Sequence, residues 1–287
     1  MAVNCQLIFV RLLTQDKSFY FDVAYFVNVQ GVVEKLKMKF QMRPILSEIR
    51  ELYSKPISPE RFKEYLAKLE GGVKGELTLP ISGFNPMAKN HILSKIDELE
   101  KLEAEKLMQN TVEEFNSNLS MPIDEEYLVV LNIADDLKGS WTNYYSTDFD
   151  SKFKLKAILS RRFCIPYFWT SENYNQKIIK TRTIEYLYRT IYWINNLKPK
   201  TLDEHLEQEI YVATEAGQYY DGIKKTNIEE IENFYSKNKD SDEYDKIFNF
   251  FYGNKGSENL GYKQYGLKGL TGYQYAKIIS EKRKMTA

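Results

Sequence analysis

The chain has 287 residues, and its 40 Lys and Arg residues balance its 40 Asp and Glu residues, so the formal net charge is zero. A neutral chain lacks the basic field that draws proteins to nucleic acid or to an anionic membrane, so we expect no nucleic-acid partner. The hydrophobic content of 43% excludes a disordered chain. The composition is that of a globular protein with one large domain or two smaller ones.

The cysteine usage and the N-terminus indicate a cytoplasmic protein. Cys5 and Cys164 are too few for a disulfide framework, and their apolar surroundings are typical of reduced core thiols, although a single disulfide stays open. The N-terminus has no basic start and Arg11 interrupts its short apolar run, so we expect no secretory signal. The longest weakly charged stretch, 18–33, is too short to span a bilayer, so we expect no membrane segment.

The N-terminal segment has the alternation of a strand. Every odd position over 19–29 is apolar, which predicts a strand that pairs as a hairpin with 7–13, although a buried helix would carry the same run. An apolar face at helical spacing over 45–53 predicts a helix behind Pro44.

Two further helices are predicted before the middle of the chain. Ser58 is a capping residue, Pro59 suits the first turn and Gly71 marks the end of the first of them. The second runs over 92–115, and because its other faces are densely charged we interpret it as a long solvated or partner-binding helix. The polar stretch 116–124 then separates two predicted regions. These are an N-terminal region at 1–120 and a mostly helical C-terminal domain at 121–287, unless the chain forms one continuous domain.

A β-α-β crossover is predicted in the second half. The apolar runs 127–133 and 163–170 have the length of buried strands, and a helix is indicated between them. Pro166 restricts the second run to a sheet edge, or removes it from the sheet. Everything after Ser171 has helical periodicity. The expected fold is α+β or α/β, predominantly helical with a small sheet.

The later helices carry local signals in the sequence. A Glu185–Arg189 pair is predicted at i, i+4 spacing. Gly217 and Gly253 are predicted helix ends. Three pairs have the spacing of a capping box: Thr201 with Glu204, Thr226 with Glu229, and Thr271 with Gln274.

The densest polar cluster, 133–150, follows the first predicted strand of the crossover. Ligands gather at the carboxyl ends of strands in open α/β sheets, which places Asp135 and Asp136 where a metal, amine or hydroxyl could bind. Oxygen ligands of this kind suit Mg²⁺, Ca²⁺ or Mn²⁺ rather than zinc. The same residue types are ordinary in loops, and Asp150 could cap the next helix. The candidate ligand-binding residues of the whole chain are Asp135, Asp136, Trp141, Thr142, Asn143, Asp148, Glu172, His205 and Glu209.

His205 and Glu209 form a second candidate cluster. Four residues apart on one helix, they share a face and could ligate a metal or pass a proton. The H-E-x-x-H pattern of zinc proteases is absent from the sequence, and a solvated histidine beside early-helix glutamates is the competing interpretation. The other histidine, His91, has no evident partner in the sequence.

The run ADDLKGSWTN, with the later TDF, FWTSE and EHLEQE, resembles a pattern in bacterial proteins of unassigned function. The resemblance covers residues 131–270 and implies no activity. Gly-Gly-Trp-Thr-Asn-Arg is common in that family. This chain has Ser140 in place of the second Gly and Tyr144 in place of the Arg, so a role that needs a cation there is not carried over.

Two functional hypotheses follow. Phosphate-loop, dinucleotide and serine-hydrolase motifs are absent, and 22 Tyr and 16 Phe supply aromatic surface, unless codon bias and core packing account for them. The first hypothesis is a non-catalytic binding or accessory protein that recognises a peptide or protein partner through an aromatic-rich cleft or helix. The alternative is a metal-assisted or carboxylate-dependent enzyme with its site around Asp135 and Asp136. No cofactor and no catalytic residue is assigned.

Overall fold

The computed structural model describes residues 7–8, 25–27, 33–34, 39–71, 78–80, 86–87, 90–119, 125–137, 142–220 and 228–286. Over these residues the fold class is confirmed: the protein is predominantly helical, with a small parallel sheet. No helix in this part of the chain combines the length and the apolar character needed to cross a membrane.

Three short N-terminal strands form an antiparallel sheet. They are β1 (Leu7–Ile8), β2 (Tyr25–Val27) and β3 (Val33–Glu34). Leu7 lies opposite Phe26, and Val27 lies opposite Val33. The pairing of β1 with β2 confirms the predicted hairpin for the described residues, and the rest of both predicted strands lies outside them.

A parallel sheet joins the two halves of the chain. Its strand order is β4-β5-β7, continued by the pair β6-β8. These strands are β4 (Lys39–Met42), β5 (Glu126–Val129), β6 (Asn132–Ala134), β7 (Phe163–Cys164) and β8 (Tyr167–Trp169). The backbone N–H of Asn132 donates to the carbonyl of Pro166 at 3.0 Å, so the β5–β6 and β7–β8 segments run side by side without a gap. The predicted crossover is confirmed, and Pro166 lies at the interruption of the outer strand in this sheet.

Four helices lie between β4 and β5. They are α1 (Leu46–Ser54), α2 (Pro59–Glu70), α3 (His91–Lys101) and α4 (Ala104–Asn118). The signals read for α2 are confirmed: the Ser58 side chain accepts from the backbone N–H of Arg61, and Gly71 ends the helix at a φ of 57°. A left-handed residue at this position favours glycine because a Cβ would crowd the following carbonyl.

The predicted single helix over 92–115 is wrong. Glu103 adopts a φ of 50°, which breaks the segment into α3 and α4. Each shorter helix buries its own apolar face, and α4 packs against β4 and the helix after β8. The drift of apolar positions along the sequence therefore marks a change of helix axis, and a partner-binding role of this segment stays a prediction.

The polar cluster 133–150 is also less loop-like than predicted. Helix α5 (Tyr144–Phe153) begins inside it, and α6 (Lys156–Leu159) follows. The Asn143 side chain caps α5 by accepting from the backbone N–H of Ser146 at 3.2 Å. The alternative in which Asp150 caps the next helix is wrong, because Asp150 lies within α5.

The described residues after β8 (170–220 and 228–286) are mainly helical, as predicted. The helices are α7 (Gln176–Asn195), α8 (Leu202–Glu215), α9 (Ile228–Asn238), α10 (Tyr244–Asn259) and α11 (Thr271–Thr286). The capping box of Thr201 and Glu204 is confirmed at the start of α8.

Of the other helix signals, one is wrong and two mark helix ends. Thr271 is the first residue of α11 and its hydroxyl donates to the carbonyl of Phe250, so it forms no capping box. Gly253 ends the first helical part of α10, as predicted: its φ of 67° and ψ of −173° are non-helical, and a second helical part follows this kink. Helix α8 ends at Glu215 with Ala216 as its C-cap, so Gly217 follows the helix end as predicted and begins a single 3-10 turn. Thr226, of the remaining capping-box prediction, lies outside the described residues.

Two hydrophobic cores stabilise these elements. The first joins the parallel sheet to α1, α3, α4 and α7 and draws residues from both sides of position 120. The second joins α5 to α8, α9, α10 and α11 and is rich in Phe and Tyr side chains, such as Phe149, Phe248 and Tyr252. Much of the aromatic content is therefore buried in a core. The division of the chain at residue 120 stays a prediction.

The caps at Ser58 and Thr201 provide a first testable prediction. Ser58→Ala and Thr201→Ala each remove the acceptor for a backbone N–H in the first turn of a helix. We expect each to lower the free energy of unfolding by about 1 kcal/mol. Ser117→Ala, at an exposed position of α4, is the control and should change the free energy of unfolding by less than about 0.5 kcal/mol. Equal effects of all three in urea denaturation would contradict the assignment of the caps.

Candidate functional site

The two predicted aspartates lie at the carboxyl ends of neighbouring parallel strands. Asp135 and Asp136 follow β6, and Thr170 and Ser171 follow β8. The Thr170 hydroxyl is 3.0 Å from Asp135 Oδ1 and 3.1 Å from Asp136 Oδ1. The backbone N–H of Ser171 donates to Asp136 Oδ1 at 3.0 Å, and its hydroxyl donates to Oδ2 at 2.5 Å. The structure thus brings both aspartates to the predicted strand end, where several hydrogen-bond donors contact the Asp136 carboxylate.

His91 completes this group, which we call the strand-end cluster (His91, Asp135, Asp136, Thr170 and Ser171). His91 is the first residue of α3, and its Nε2 lies 2.9 Å from Asp135 Oδ1. The His91 side chain is 32% exposed, whereas that of Asp135 is 2% exposed. A buried carboxylate therefore orients a half-exposed imidazole. This pair could not be predicted from the sequence, because His91 and Asp135 are 44 residues apart and meet only when α3 packs on the sheet.

Glu172 directly follows Ser171 in the sequence, but its carboxylate contacts residues outside the strand-end cluster. Its carboxylate accepts from Arg182 at 2.6 Å and from the Tyr174 hydroxyl at 2.8 Å. Within the described residues no group of three or more His, Cys, Asp or Glu side chains is arranged to hold a metal ion. Asp135 and Asp136 are the two carboxylates that meet at Thr170, and metal binding there stays a prediction.

Asp148 is buried in a different part of the molecule. Its Oδ2 lies 2.6 Å from Lys152 Nζ and accepts from the Tyr252 hydroxyl at 2.6 Å. Burial acts to raise the pKa of Asp148, but Lys152 and the Tyr252 hydroxyl outweigh it, so the pKa lies below its ordinary value. The Tyr252 hydroxyl also contacts that of Tyr273 at 2.8 Å. Asp148 thus joins α5 to α10 and α11.

His205 and Glu209 share a face of α8, yet each contacts other residues. His205 Nδ1 lies 2.7 Å from the carbonyl of Thr201, and burial lowers the pKa of the imidazole. Both Glu209 oxygens bind Arg189, each at 2.8 Å. Arg189 was expected to pair with Glu185 on its own helix. Its guanidinium instead contacts Glu209 on α8, because the buried Glu209 carboxylate requires a positively charged partner. A metal or proton-transfer role for His205 and Glu209 stays a prediction.

The other candidates lie at the start of α5. Asn143 caps that helix and donates through Nδ2 to Asn259 Oδ1 at 2.6 Å. Thr142, just before it, is buried. Trp141 lies outside the described residues.

A cleft with a volume of about 470 Å³ opens between α5, α6, the β7–β8 segment and α7. Volumes of this size are typical of ligand sites. Among the sequence candidates that the structure describes, Thr142 alone lines it. The other hydroxyl-bearing lining residues are Tyr65, Thr147, Ser151, Tyr167, Tyr186 and Thr190. The apolar lining residues are Leu155, Ile158, Leu159, Phe163, Cys164 and Ile165.

The cleft has polar groups between its apolar walls, and its described lining residues carry no unpaired charge. Its charged lining residues among those described are Asp150 and Lys154, and these half-exposed side chains pair with each other at 2.7 Å. Deeper, the Ser151 hydroxyl lies 2.8 Å from that of Tyr186. Burial raises the pKa of the Cys164 thiol to about 12, so the thiol is protonated and a weak nucleophile. The reduced core thiol expected at Cys164 is found, while Cys5 lies outside the described residues.

Sequence reasoning missed the cleft because its lining comes from five separate elements. A weak signal existed: Thr147 and Ser151 are four residues apart, as are Tyr186 and Thr190, so α5 and α7 each present two hydroxyls on one face. Such pairs are also common on solvated helices, and only the tertiary structure shows that the two faces meet.

No family model matches the chain, and neither a curated protein nor a solved structure matches it. The cleft and the strand-end cluster are therefore the features of the molecule that bear on its function.

Proposed function

We propose that the protein is a non-catalytic binding protein that recognises a partner peptide by taking one of its uncharged side chains into the cleft. The observation that carries the proposal is the lining of the cleft: apolar and aromatic walls, several hydroxyl groups, and a single Asp150–Lys154 pair at the exposed end. Binding sites with mainly apolar walls and a few oriented polar groups are typical of such recognition.

The lining argues against catalysis in the cleft. A catalytic pocket brings together a nucleophile or acid and a base of suitable pKa. Here the Cys164 thiol is protonated, and burial raises the pKa of the Tyr186 phenol well above its ordinary value. Asp150 is engaged by Lys154. These groups serve better as hydrogen-bonding and packing surface than as acid–base catalysts.

The charge and redox state of the site favour a neutral partner in the cytoplasm. A polyanion such as nucleic acid would need unpaired cations, whereas Lys154 is paired. A cytoplasmic location is part of the proposal and is supported by the buried, unbridged Cys164 thiol.

A library of random peptides displayed on phage tests the proposal. Ile158→Trp places a large side chain on the cleft wall, whereas Lys156→Trp adds the same side chain at an exposed position of α6. We expect peptides selected on the wild-type protein to bind the Ile158→Trp variant at least tenfold more weakly. A peptide side chain that can no longer be buried in the filled cleft loses more than about 1.4 kcal/mol of binding free energy. They should keep their affinity on Lys156→Trp.

The selection has two contradicting outcomes. The first is peptides that bind Ile158→Trp as tightly as the wild-type protein. The second is a library from which no clone is enriched over a selection on Ile158→Trp. Far-UV circular dichroism of both variants verifies that the helices are retained, so that loss of binding reports on the cleft.

A second candidate function is favoured by the contact between His91 and Asp135. A half-exposed imidazole oriented by a buried carboxylate is the arrangement of a general base. This supports the carboxylate-dependent form of an enzyme at the strand-end cluster. The metal-assisted form has less support, because the described residues there supply no group of three ligands. His91→Ala should then abolish any turnover while leaving peptide binding in the cleft intact.

A further inference from the structure

The deep end of the cleft contains a pair of hydroxyl groups whose hydrogens are both engaged. Ser151 Oγ lies 2.9 Å from the carbonyl of Asp148 and 2.8 Å from the Tyr186 hydroxyl. Serine has one hydrogen to donate. Both contacts are satisfied when Ser151 donates to the Asp148 carbonyl and Tyr186 donates to Ser151. The lone pairs of the two oxygens are then what remains for a ligand.

This pair is held firmly in place. Ser151 and Tyr186 are 6% and 4% exposed, so each is more than nine-tenths buried, and both line the cleft. The Tyr186 ring packs against Tyr167 with 6.3 Å between centroids, and the Arg189 guanidinium lies 5.2 Å from its centroid. Since Arg189 is neutralised by Glu209, the ring does not face an unpaired cation. A ligand at this end of the cleft meets fixed, neutral hydrogen-bond acceptors.

We infer that the cleft selects a side chain that combines an aromatic ring with an uncharged hydrogen-bond donor, such as the phenol of tyrosine, over the same ring without a donor. The inference rests on the proposed binding function and names the ligand chemistry of that site. The ring is matched by the apolar and aromatic walls, and the donor is matched by the lone pairs of Ser151 and Tyr186. A charged group is disfavoured, because burying it there leaves it without a counter-charge.

The side-chain analogues p-cresol and toluene test this inference on the full-length protein. Their dissociation constants are measured by NMR titration of the isotope-labelled chain. A purely apolar cleft would favour toluene, because the phenol must give up its water to enter. We expect p-cresol to bind about fivefold more tightly than toluene to the wild-type protein, the effect of one net hydrogen bond.

Two variants assign the preference to the proposed atoms. Tyr186→Phe combined with Ser151→Ala keeps the ring of residue 186 and removes both acceptor oxygens, and should make toluene the tighter ligand. Tyr192→Phe removes a hydroxyl from the same helix at a residue outside the cleft lining, and should leave the wild-type ratio unchanged.

The outcomes separate the inference from the proposed function. If both probes shift cleft resonances but toluene binds as tightly as p-cresol, or if the Ser151→Ala, Tyr186→Phe double variant keeps the preference for p-cresol, the inference is overturned and the binding function stands. If neither probe shifts cleft resonances, both are overturned. Tighter binding of p-cresol that reverses in the double variant supports the inference.

Discussion

Replacing Glu209 with leucine should lower the free energy of unfolding by about 3–5 kcal/mol, because Arg189 would be left as an unpaired buried charge. The two side chains are 4% and 2% exposed and form two hydrogen bonds of 2.8 Å. Arg189→Met should cost a similar amount, since it leaves Glu209 unpaired. Urea denaturation at neutral pH measures both changes.

The double replacement is the control for this prediction. Arg189→Met combined with Glu209→Leu removes both charges, and the variant should recover most of the stability lost by either single change. Additive losses in the double variant would show that packing, and not the pairing of charges, stabilises the contact between α7 and α8.

The same pair predicts a pH dependence. Burial raises the pKa of Glu209, but Arg189 lowers it by more, so the folded-state pKa lies below the ordinary value. The unfolded chain therefore takes up a proton at higher pH than the folded protein does. The contribution of Glu209 to stability is complete above its unfolded pKa of about 4.3 and is lost as the pH falls through the lower folded-state value. The double variant Arg189→Met, Glu209→Leu should not show this part of the loss of stability at acidic pH.

Gly253→Ala should destabilise the second core by about 3–5 kcal/mol. Gly253 has a φ of 67° and a ψ of −173°, a region open essentially to glycine alone. A Cβ there would lie 2.5 Å from the backbone N of Gly269, so the kink of α10 and the segment before α11 could not both keep their positions. The backbone strain and the steric overpacking then add, and each lowers the free energy of unfolding by about 1–3 kcal/mol.

Gly261→Ala is the matched control for the contact. Gly261 also has a positive φ, of 70°, but a Cβ on it would meet nothing within 4 Å. We expect Gly261→Ala to lower the free energy of unfolding by about 1 kcal/mol, because it introduces backbone strain without a steric clash. Equal thermal shifts for the two variants would contradict the close approach of Gly253 to Gly269.

Local signals predicted local structure well in this chain. Ser58 and Gly71 bound α2 as expected, and the apolar runs on either side of α5 and α6 became parallel strands. The errors arise where tertiary contacts decide the local conformation. Glu103 takes a left-handed φ that no local signal indicates, and it divides a continuous helical pattern into two helices.

The candidate sites were predicted in part, for the same physical reason. Asp135 and Asp136 could be placed from the rule that ligand residues follow parallel strands. His91 and the cleft could not, because His91 comes from a distant helix and the cleft lining combines α2, α5, α6, α7 and the outer strand. Asp148 and Glu209 were selected for their chemistry, but the structure pairs them with Lys152 and Arg189.

The most direct test of the binding function is to map where a selected peptide contacts the protein, by NMR chemical-shift perturbation of the full-length chain. Cys164 in the cleft and Thr170 in the strand-end cluster are about 20 Å apart along an extended chain, so the two sites can be distinguished. The proposed function predicts the largest perturbations at cleft residues such as Ser151 and Ile158. Perturbations centred on His91 and Asp135 would contradict it and favour the strand-end cluster as the functional site.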